Sequence, residues 1–241
     1  MKHRWASLIS GGGTTMQAVA NACLLGEIPL EVACVITNNP KAGGIQRAKD
    51  IGINEKDIII IDPNEYKSDD IKVEQASFGQ AILEELKKRD VTVITQNGWI
   101  PLTPTNVIEE YKDSIFNQHP GPLPDFGGKG MYGKRVHSAV LIYRRFTNTE
   151  PWTEALAHKV TQDFDGGDVV EYQRVDIDKE DTVESLFAKV KPIEHQLQVE
   201  LLKDFISGNI KAEKRKPIVP KENQKVLELA KKISILLYPN G

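Results

Sequence analysis

Hydrophobic positions in the first half of the chain alternate between short apolar runs and longer segments with helical spacing. Runs that end in glycine, asparagine or proline predict strands, and apolar residues spaced three and four apart predict helices packed against them. The predicted strands are 5–9, 31–37, 57–61 and 91–95, and the predicted helices are 14–25, 45–51, 70–88 and 104–111. The four consecutive isoleucines at 58–61 indicate a buried parallel strand.

The second half is less regular. It predicts a short central strand at 114–116, a helix at 137–145 and the longest helix at 181–206. Two further strands, 155–160 and 169–175, flank a turn with paired glycines and are predicted to pair antiparallel. After a basic, proline-containing stretch, the tail has an amphipathic pattern whose apolar residues are Val226, Leu227, Leu229, Ala230, Ile233 and Leu236.

Strands and helices that alternate with short connections predict an α/β fold. The expected architecture is a doubly wound, mostly parallel central sheet with right-handed crossovers and an antiparallel portion in the second half. No linker, internal repeat or low-complexity tract divides the chain, so a single domain over 1–241 is predicted.

The composition argues against several classes of protein. The 31 Lys+Arg against 34 Asp+Glu give a net charge of −3, which argues against a nucleic-acid binder because phosphate neutralisation needs a basic face. No apolar run approaches the roughly 20 residues that span a bilayer, and the first residues lack the apolar stretch of a signal peptide. Cys23 and Cys34 have no metal-ligand spacing, which suggests buried thiols in a reducing cytoplasm.

A glycine-rich segment, SGGGTT at 10–15, joins the first predicted strand to the first predicted helix. Glycines allow a ligand close to the backbone, and a helix N-terminus offers unpaired N–H groups, so phosphate is the natural ligand. The segment lacks the Gly-Lys-Ser/Thr of a Walker loop and the glycine spacing of a dinucleotide site. The alternative is a tight turn capped by threonine.

Asn117-Gln118-His119-Pro120 lies at the carboxyl end of a predicted central strand, where open α/β sheets bind ligands. Asn117 and His119 are two residues apart on an extended segment, so their side chains point to the same side. An amide donor and an imidazole could stabilise an oxyanion while the imidazole moves a proton. The alternative is a histidine that only satisfies a backbone carbonyl.

The acidic segment DFDGGD at 163–168 could push a carboxylate towards His119, where it would favour the protonated imidazole. A surface turn and a cation-binding loop are the alternatives. His158 and His195 are predicted to pack or cap, and the five histidines show no metal spacing, so no metal is expected. We expect Lys129, Lys134 and Arg135 to form a solvated face, with attraction of an anionic ligand as the alternative.

Three ordered motifs together resemble the folate-dependent formyltransferase family: SGGGTTMQA at 10–18, NQHPGPLP at 117–124 and VTQDFDGG at 160–167. The resemblance covers roughly residues 5–210 and is closest to the branch that formylates glycinamide ribonucleotide. It implies a Rossmann-like formyltransferase fold with a nucleotide- and phosphate-binding half at 1–113, a catalytic and folate-binding half at 114–210, and a tail at 211–241. It also implies 10-formyltetrahydrofolate as co-substrate and a monomer or homodimer.

By that resemblance, His119 is the proton donor, Asn117 helps hold the formyl oxygen and Asp165 supports the charged transition state. The expected substrate-binding residues are Gly12, Gly13, Thr14, Thr15 and Glu194. The expected folate-binding residues are Ile100, Pro101, Leu102, Thr103, Asn117 and Asp163.

The chain departs from the family pattern in ways that leave the acceptor open. Gly12, Thr14 and Thr15 stand where the family commonly has Asn, Ser and Asn, and the segment 125–135 is longer than usual and borders the expected cleft. The alternatives are formyl transfer to another amine such as an amino sugar nucleotide, hydrolysis of 10-formyltetrahydrofolate, and a folate- or nucleotide-binding module without turnover.

Overall fold

The computed structural model describes residues 3–241, so Met1 and Lys2 lie outside the described part. Its strands are β1 (His3–Ile9), β2 (Leu30–Thr37), β3 (Ile58–Ile60), β4 (Val93–Gln96), β5 (Ile115–His119), β6 (Trp152–Lys159) and β7 (Val169–Asp176). Its helices are α1 (Thr14–Leu24), α2 (Gly43–Asp50), α3 (Ile71–Lys87), α4 (Thr105–Glu110), α5 (Lys134–Thr147), α6 (Val183–Ser207) and α7 (Gln224–Leu237). The elements follow the hydrophobic pattern, with ends that differ by a few residues.

The strands form one seven-stranded sheet in the order β3-β2-β1-β4-β5-β6-β7. Neighbours from β3 to β5 pair in parallel, whereas β5–β6 and β6–β7 pair antiparallel. This confirms the predicted mostly parallel, doubly wound sheet with an antiparallel portion in the second half. The chain order reverses between β1 and β4, and this switch point leaves the loops after β1 and β4 side by side.

Helices cover both faces of the sheet because adjacent strand residues point to opposite sides. Leu8 packs with the side chains of α3 and α4, while its neighbour Ile9 packs with those of α1 and α6. A third apolar cluster joins α5, β6, α6 and α7. Among residues 3–241, no helix is long and apolar enough to span a membrane.

One prediction about burial was wrong. The isoleucine run forms β3, which pairs only with β2 and so is an edge strand. Ile60 is 49% exposed, whereas Ile61, just beyond the strand, is buried. Four identical apolar residues predict a strand, but they do not indicate whether neighbouring strands and helices cover both of its faces.

Candidate active site

A cavity of about 610 Å³ lies at the carboxyl edge of the parallel strands. Its walls come from the segments after β1, β4 and β5, together with parts of α6, the loop before α5 and the last residues of the tail. Its volume falls in the range of small-molecule sites. The residues predicted to be catalytic, substrate-binding and folate-binding come from separate parts of the sequence, and all of them line this one cavity.

The three predicted catalytic residues are brought together in this cavity. Asn117 and His119 lie on β5, and Asp165 lies in the turn between β6 and β7. The Asp165 carboxylate has one oxygen 3.7 Å from Nδ1 of His119, and its other oxygen accepts from Nδ2 of Asn117 at 3.4 Å. The antiparallel β6–β7 pair returns the chain to β5, and this places the carboxylate next to the imidazole.

Asp165 is held in a constrained backbone conformation. Its φ is 55°, in the left-handed region that few non-glycine residues adopt, and its Oδ2 accepts from the Gly128 N–H at 2.9 Å. Burial acts to raise the pKa of Asp165, but His119, His158 and the Gly128 N–H together lower it to about 2. The group is therefore a carboxylate at neutral pH, positioned to stabilise a cation.

His119 is 2% exposed, and both ring nitrogens face oxygen acceptors. Nε2 lies 3.1 Å from the Phe126 carbonyl, and Nδ1 faces Asp165. Burial lowers the pKa of His119, and Asp165 opposes that shift. The carbonyl contact considered as the alternative is present, but it accompanies the carboxylate contact instead of replacing it. The surroundings thus favour a neutral ring that can take a proton when negative charge develops beside it.

His158, predicted to pack or cap, is buried, and it also lines the cavity and contacts two of the catalytic candidates. It lies opposite Asn117 in the β5–β6 register, and its Nε2 lies 3.1 Å from Asn117 Nδ2 and 3.4 Å from Asp165. Nδ1 donates to the Lys159 carbonyl at 2.9 Å, which leaves Nε2 free to accept from Asn117. The lone histidine carried no sequence signal for this role, because the cross-strand register alone brings it to the site.

The glycine-rich segment forms the N-terminus of α1. Gly13 occupies the N-cap with a φ of 68°, and no side chain caps the helix, so the threonine-capped turn considered as the alternative is not formed. A Cβ on Gly13 would come 2.8 Å from Gly44 Cα, which explains the glycine. Thr15 is buried and its hydroxyl accepts from Gln118 Nε2 at 3.2 Å, and Thr14 lies 3.4 Å from His195 Nε2. Uncapped N–H groups at a helix N-terminus suit a phosphate.

Glu194 lies on α6 and lines the cavity, as predicted for the long helix. Burial raises the pKa of this carboxyl to about 7, and the nearby Lys191 opposes the shift. Lys191 also lines the cavity, and no motif in the sequence singles it out. A titratable acid with a perturbed pKa beside a cation in a cavity is typical of a binding site.

Replacing Glu194 with glutamine is expected to stabilise the protein more as the pH rises. The folded protein holds this proton more tightly than the unfolded chain, so ionisation costs the wild type stability as the pH rises from about 4.5 to about 7. Glutamine cannot ionise and escapes that loss. Thermal unfolding across this range should show the Tm difference between variant and wild type growing, while Glu200→Gln, on the exposed side of α6, should track the wild type. A constant difference for Glu194→Gln would contradict the prediction.

The predicted folate-binding segment lines the same cavity. Ile100, Pro101, Leu102 and Thr103 follow β4, and the Ile100 N–H donates to Ser10 Oγ at 2.9 Å, which ties the segment to the end of β1. Asp163 also lines the cavity. Asn97 Oδ1 and Trp99 Nε1 are buried polar atoms without a partner among the described residues, and both side chains belong to cavity-lining residues.

The predicted solvated face of Lys129, Lys134 and Arg135 is wrong for Arg135. Its guanidinium is buried and donates to the carbonyls of Gly130, Tyr238 and Pro239. Lys129 is exposed, and Lys134 pairs with Glu184. The segment from Gly128 to Gly133 forms part of the cavity wall. The sequence could not show that the tail supplies carbonyl acceptors for a buried arginine.

Comparison with known proteins shows the family of this chain. A sequence profile described as formyl transferase matches residues 3–202. The chain belongs to the formyl transferase family. Within that part of the molecule lie the three catalytic candidates, the glycine-rich segment and Glu194. No group of three or more His, Cys, Asp and Glu side chains in residues 3–241 is arranged to hold a metal ion.

Two relatives and one solved structure are similar to this formyl transferase over most of its length. It is 31% identical over 211 residues to "Phosphoribosylglycinamide formyltransferase, chloroplastic" of Vigna unguiculata, covering 87% of this chain and 62% of the relative. It is 29% identical to the phosphoribosylglycinamide formyltransferase of Haemophilus influenzae, covering 86% of this chain and 88% of that protein. The crystal structure of glycinamide ribonucleotide transformylase 1 from Symbiobacterium toebii superimposes with a TM-score of 0.72 at 28% identity, covering 86% of this chain and 88% of that one. The chain thus spans less than two thirds of the Vigna protein but most of the other two.

Proposed function

We propose that this formyl transferase moves a formyl group from 10-formyltetrahydrofolate to the primary amine of glycinamide ribonucleotide, a step of purine biosynthesis. The observation that carries the proposal is the meeting, in one cavity, of an uncapped helix N-terminus with the Asn117, His119 and Asp165 group. The first suits a phosphate and the second suits acyl transfer. The names of the relatives support the same acceptor.

In the proposed reaction the co-substrate supplies the formyl carbon. A new C–N bond forms between that carbon and the acceptor amine, the old C–N bond to the folate breaks, and the amine's proton passes to the departing nitrogen. One N–H of the Asn117 amide stays bonded to His158, and the other leaves Asp165 to donate to the formyl oxygen as negative charge develops on it. The neutral His119 takes the amine's proton, becomes an imidazolium, and gives that proton to the departing nitrogen. Asp165, ionised by its surroundings, stabilises the imidazolium when it forms. His158 orients the Asn117 amide through the 3.1 Å contact.

The acceptor side of the site is built from α1 and α6. We assign the phosphate to the N–H groups of Gly13, Thr14 and Thr15, with Gly12 allowing close approach, and the ribose to Glu194. Gln118 also lines the cavity, and its Nε2 donates to the Thr15 hydroxyl at 3.2 Å, which links β5 to the first turn of α1. The folate side uses Ile100, Pro101, Leu102, Thr103, Asn117 and Asp163.

The test is absorbance-monitored release of the folate product from a 10-formyl folate analogue, with and without glycinamide ribonucleotide. Release that requires the ribonucleotide is the expected result. Release in its absence would replace the proposal with hydrolysis of the formyl folate. Absence of release in both cases, with folate binding retained, would indicate another amine such as an amino sugar nucleotide, or a binding module without turnover.

The same proposal extends to the organisation of the protein. We infer that the chain works as one formyltransferase unit, as a monomer or homodimer, without nucleic acid or membrane partners and without a metal. We place it in the cytoplasm, and the two cysteines support this because both are unpaired.

A further inference from the structure

The tail beyond residue 202, which the family profile does not match, is bound at three points to the segment 125–135, whose residues 128–133 line the cavity. The Asp125 carboxylate accepts from the backbone N–H groups of Ile218 and Val219 at 2.6 and 3.0 Å. The Arg135 guanidinium donates to tail carbonyls just after α7. Lys231, on α7, donates from Nζ to the Gly127 carbonyl at 3.0 Å.

The Gly127 carbonyl belongs to the peptide group that also carries the Gly128 N–H. That N–H donates to Asp165 Oδ2 at 2.9 Å. A peptide group is planar and trans, so its C=O and N–H point in opposite directions and an interaction that fixes one end fixes the other. Lys231 and Asp165 therefore bind the two ends of one rigid unit.

The Gly127–Gly128 peptide packs closely against the Asp165 side chain. A Cβ on Gly127 would come 2.8 Å from Asp165 Cβ and 2.3 Å from Leu123 Cδ2. The preceding carbonyl, that of Phe126, lies 3.1 Å from His119 Nε2. Consecutive backbone groups at 126–128 thus contact both His119 and Asp165, and a rotation of this segment would change both contacts.

Three nearby carboxylates favour the charged form of Lys231. Burial lowers the pKa of Lys231, and Glu228, Asp125 and Asp165 oppose that shift. The cation in turn contributes to lowering the pKa of His119, after burial, which is the largest cause. A charge-assisted hydrogen bond to the Gly127 carbonyl also polarises the peptide and strengthens its N–H as a donor.

We propose that Lys231 is a positioning residue for the catalytic carboxylate, acting through the Gly127–Gly128 peptide that it shares with Asp165. The inference rests on the proposed formyl transfer for its effect on turnover. Lys231 touches no substrate in this scheme, since its nitrogen is bound to the backbone on the far side of the peptide. The tail is accordingly part of the active site and not only a cover for α5.

The experiment compares Lys231→Met, which keeps the unbranched apolar stem and removes the cation, with Lys232→Met, which removes an exposed neighbour on the same helix. Thermal unfolding first verifies that both variants are folded. We expect Lys231→Met to lower kcat by about tenfold and to leave KM for glycinamide ribonucleotide unchanged, because Lys231 acts on the peptide beside Asp165 and the phosphate is assigned to the glycine-rich segment. Lys232→Met should retain the wild-type kcat.

A second measurement needs no substrate. The backbone amide resonance of Gly128 in a ¹⁵N–¹H spectrum should move upfield in Lys231→Met, as a weakened hydrogen bond to a carboxylate requires, and should not move in Lys232→Met. An unchanged Gly128 resonance, or an unchanged kcat in an active enzyme, would overturn the proposal. If the wild type shows no formyl transfer, the proposed function fails, while the Gly128 resonance still decides whether Lys231 holds this peptide.

Discussion

Replacing His119 with alanine is expected to lower kcat for formyl transfer by on the order of 100-fold or more in a folded protein. Asn117→Ala should have an effect of the same order. The two side chains lie on one strand, on either side of Gln118, and the Asp165 carboxylate faces both. Their interactions with the reacting atoms strengthen as charge develops in the transition state. The loss should therefore appear in kcat, with a smaller effect on KM.

Single-turnover release of the folate product in the presence of glycinamide ribonucleotide measures this effect. His3→Ala provides a control, because His3 packs edge-on against Phe205 and is not among the cavity-lining residues. Circular dichroism and thermal unfolding show whether each variant is folded. Full transferase activity in folded His119→Ala and Asn117→Ala would remove the chemical basis of the proposed function.

Gly167→Ala is expected to destabilise the protein by about 3 kcal/mol or more and to abolish activity. A Cβ at this position would lie 1.7 Å from the Lys159 carbonyl oxygen and 2.7 Å from its carbon. Both atoms belong to the backbone of β6, so no side-chain rotation can relieve the clash. The Lys159 N–H donates to the Asp168 carbonyl at 2.9 Å beside this contact, and forcing the strands apart would also displace Asp165.

For a chain of this length, a loss of that size corresponds to a fall in Tm of about 10 °C. Gly43→Ala is the matched control, because its Cβ would come no closer than 3.8 Å to a neighbouring atom and its φ is not in the left-handed region. The control should unfold within about 2 °C of the wild type. A Gly167→Ala protein with an unchanged Tm would show that the turn between β6 and β7 differs from the one described.

Much of the fold follows from local pattern. The alternation of apolar runs and helical spacing located the seven strands and seven α-helices of residues 3–241 to within a few residues, because burial on a strand or a helix face imposes its period on the sequence. The β6–β7 pairing followed from two apolar runs around Asp165-Gly166-Gly167. The edge position of β3 could not be predicted in this way, because strand order depends on which segments pack together.

Local features of the chain, namely its strand ends, glycine turns and ordered motifs, were enough to predict the α/β sheet and to indicate the catalytic candidates Asn117, His119 and Asp165. Only the tertiary structure brought His158 to Asn117, buried Arg135 against the tail carbonyls and placed Lys231 behind the Gly127–Gly128 peptide. Each of these contacts joins residues more than forty positions apart, through strand register or helix packing. The sequence around a single histidine, arginine or lysine does not indicate which distant group that side chain will contact.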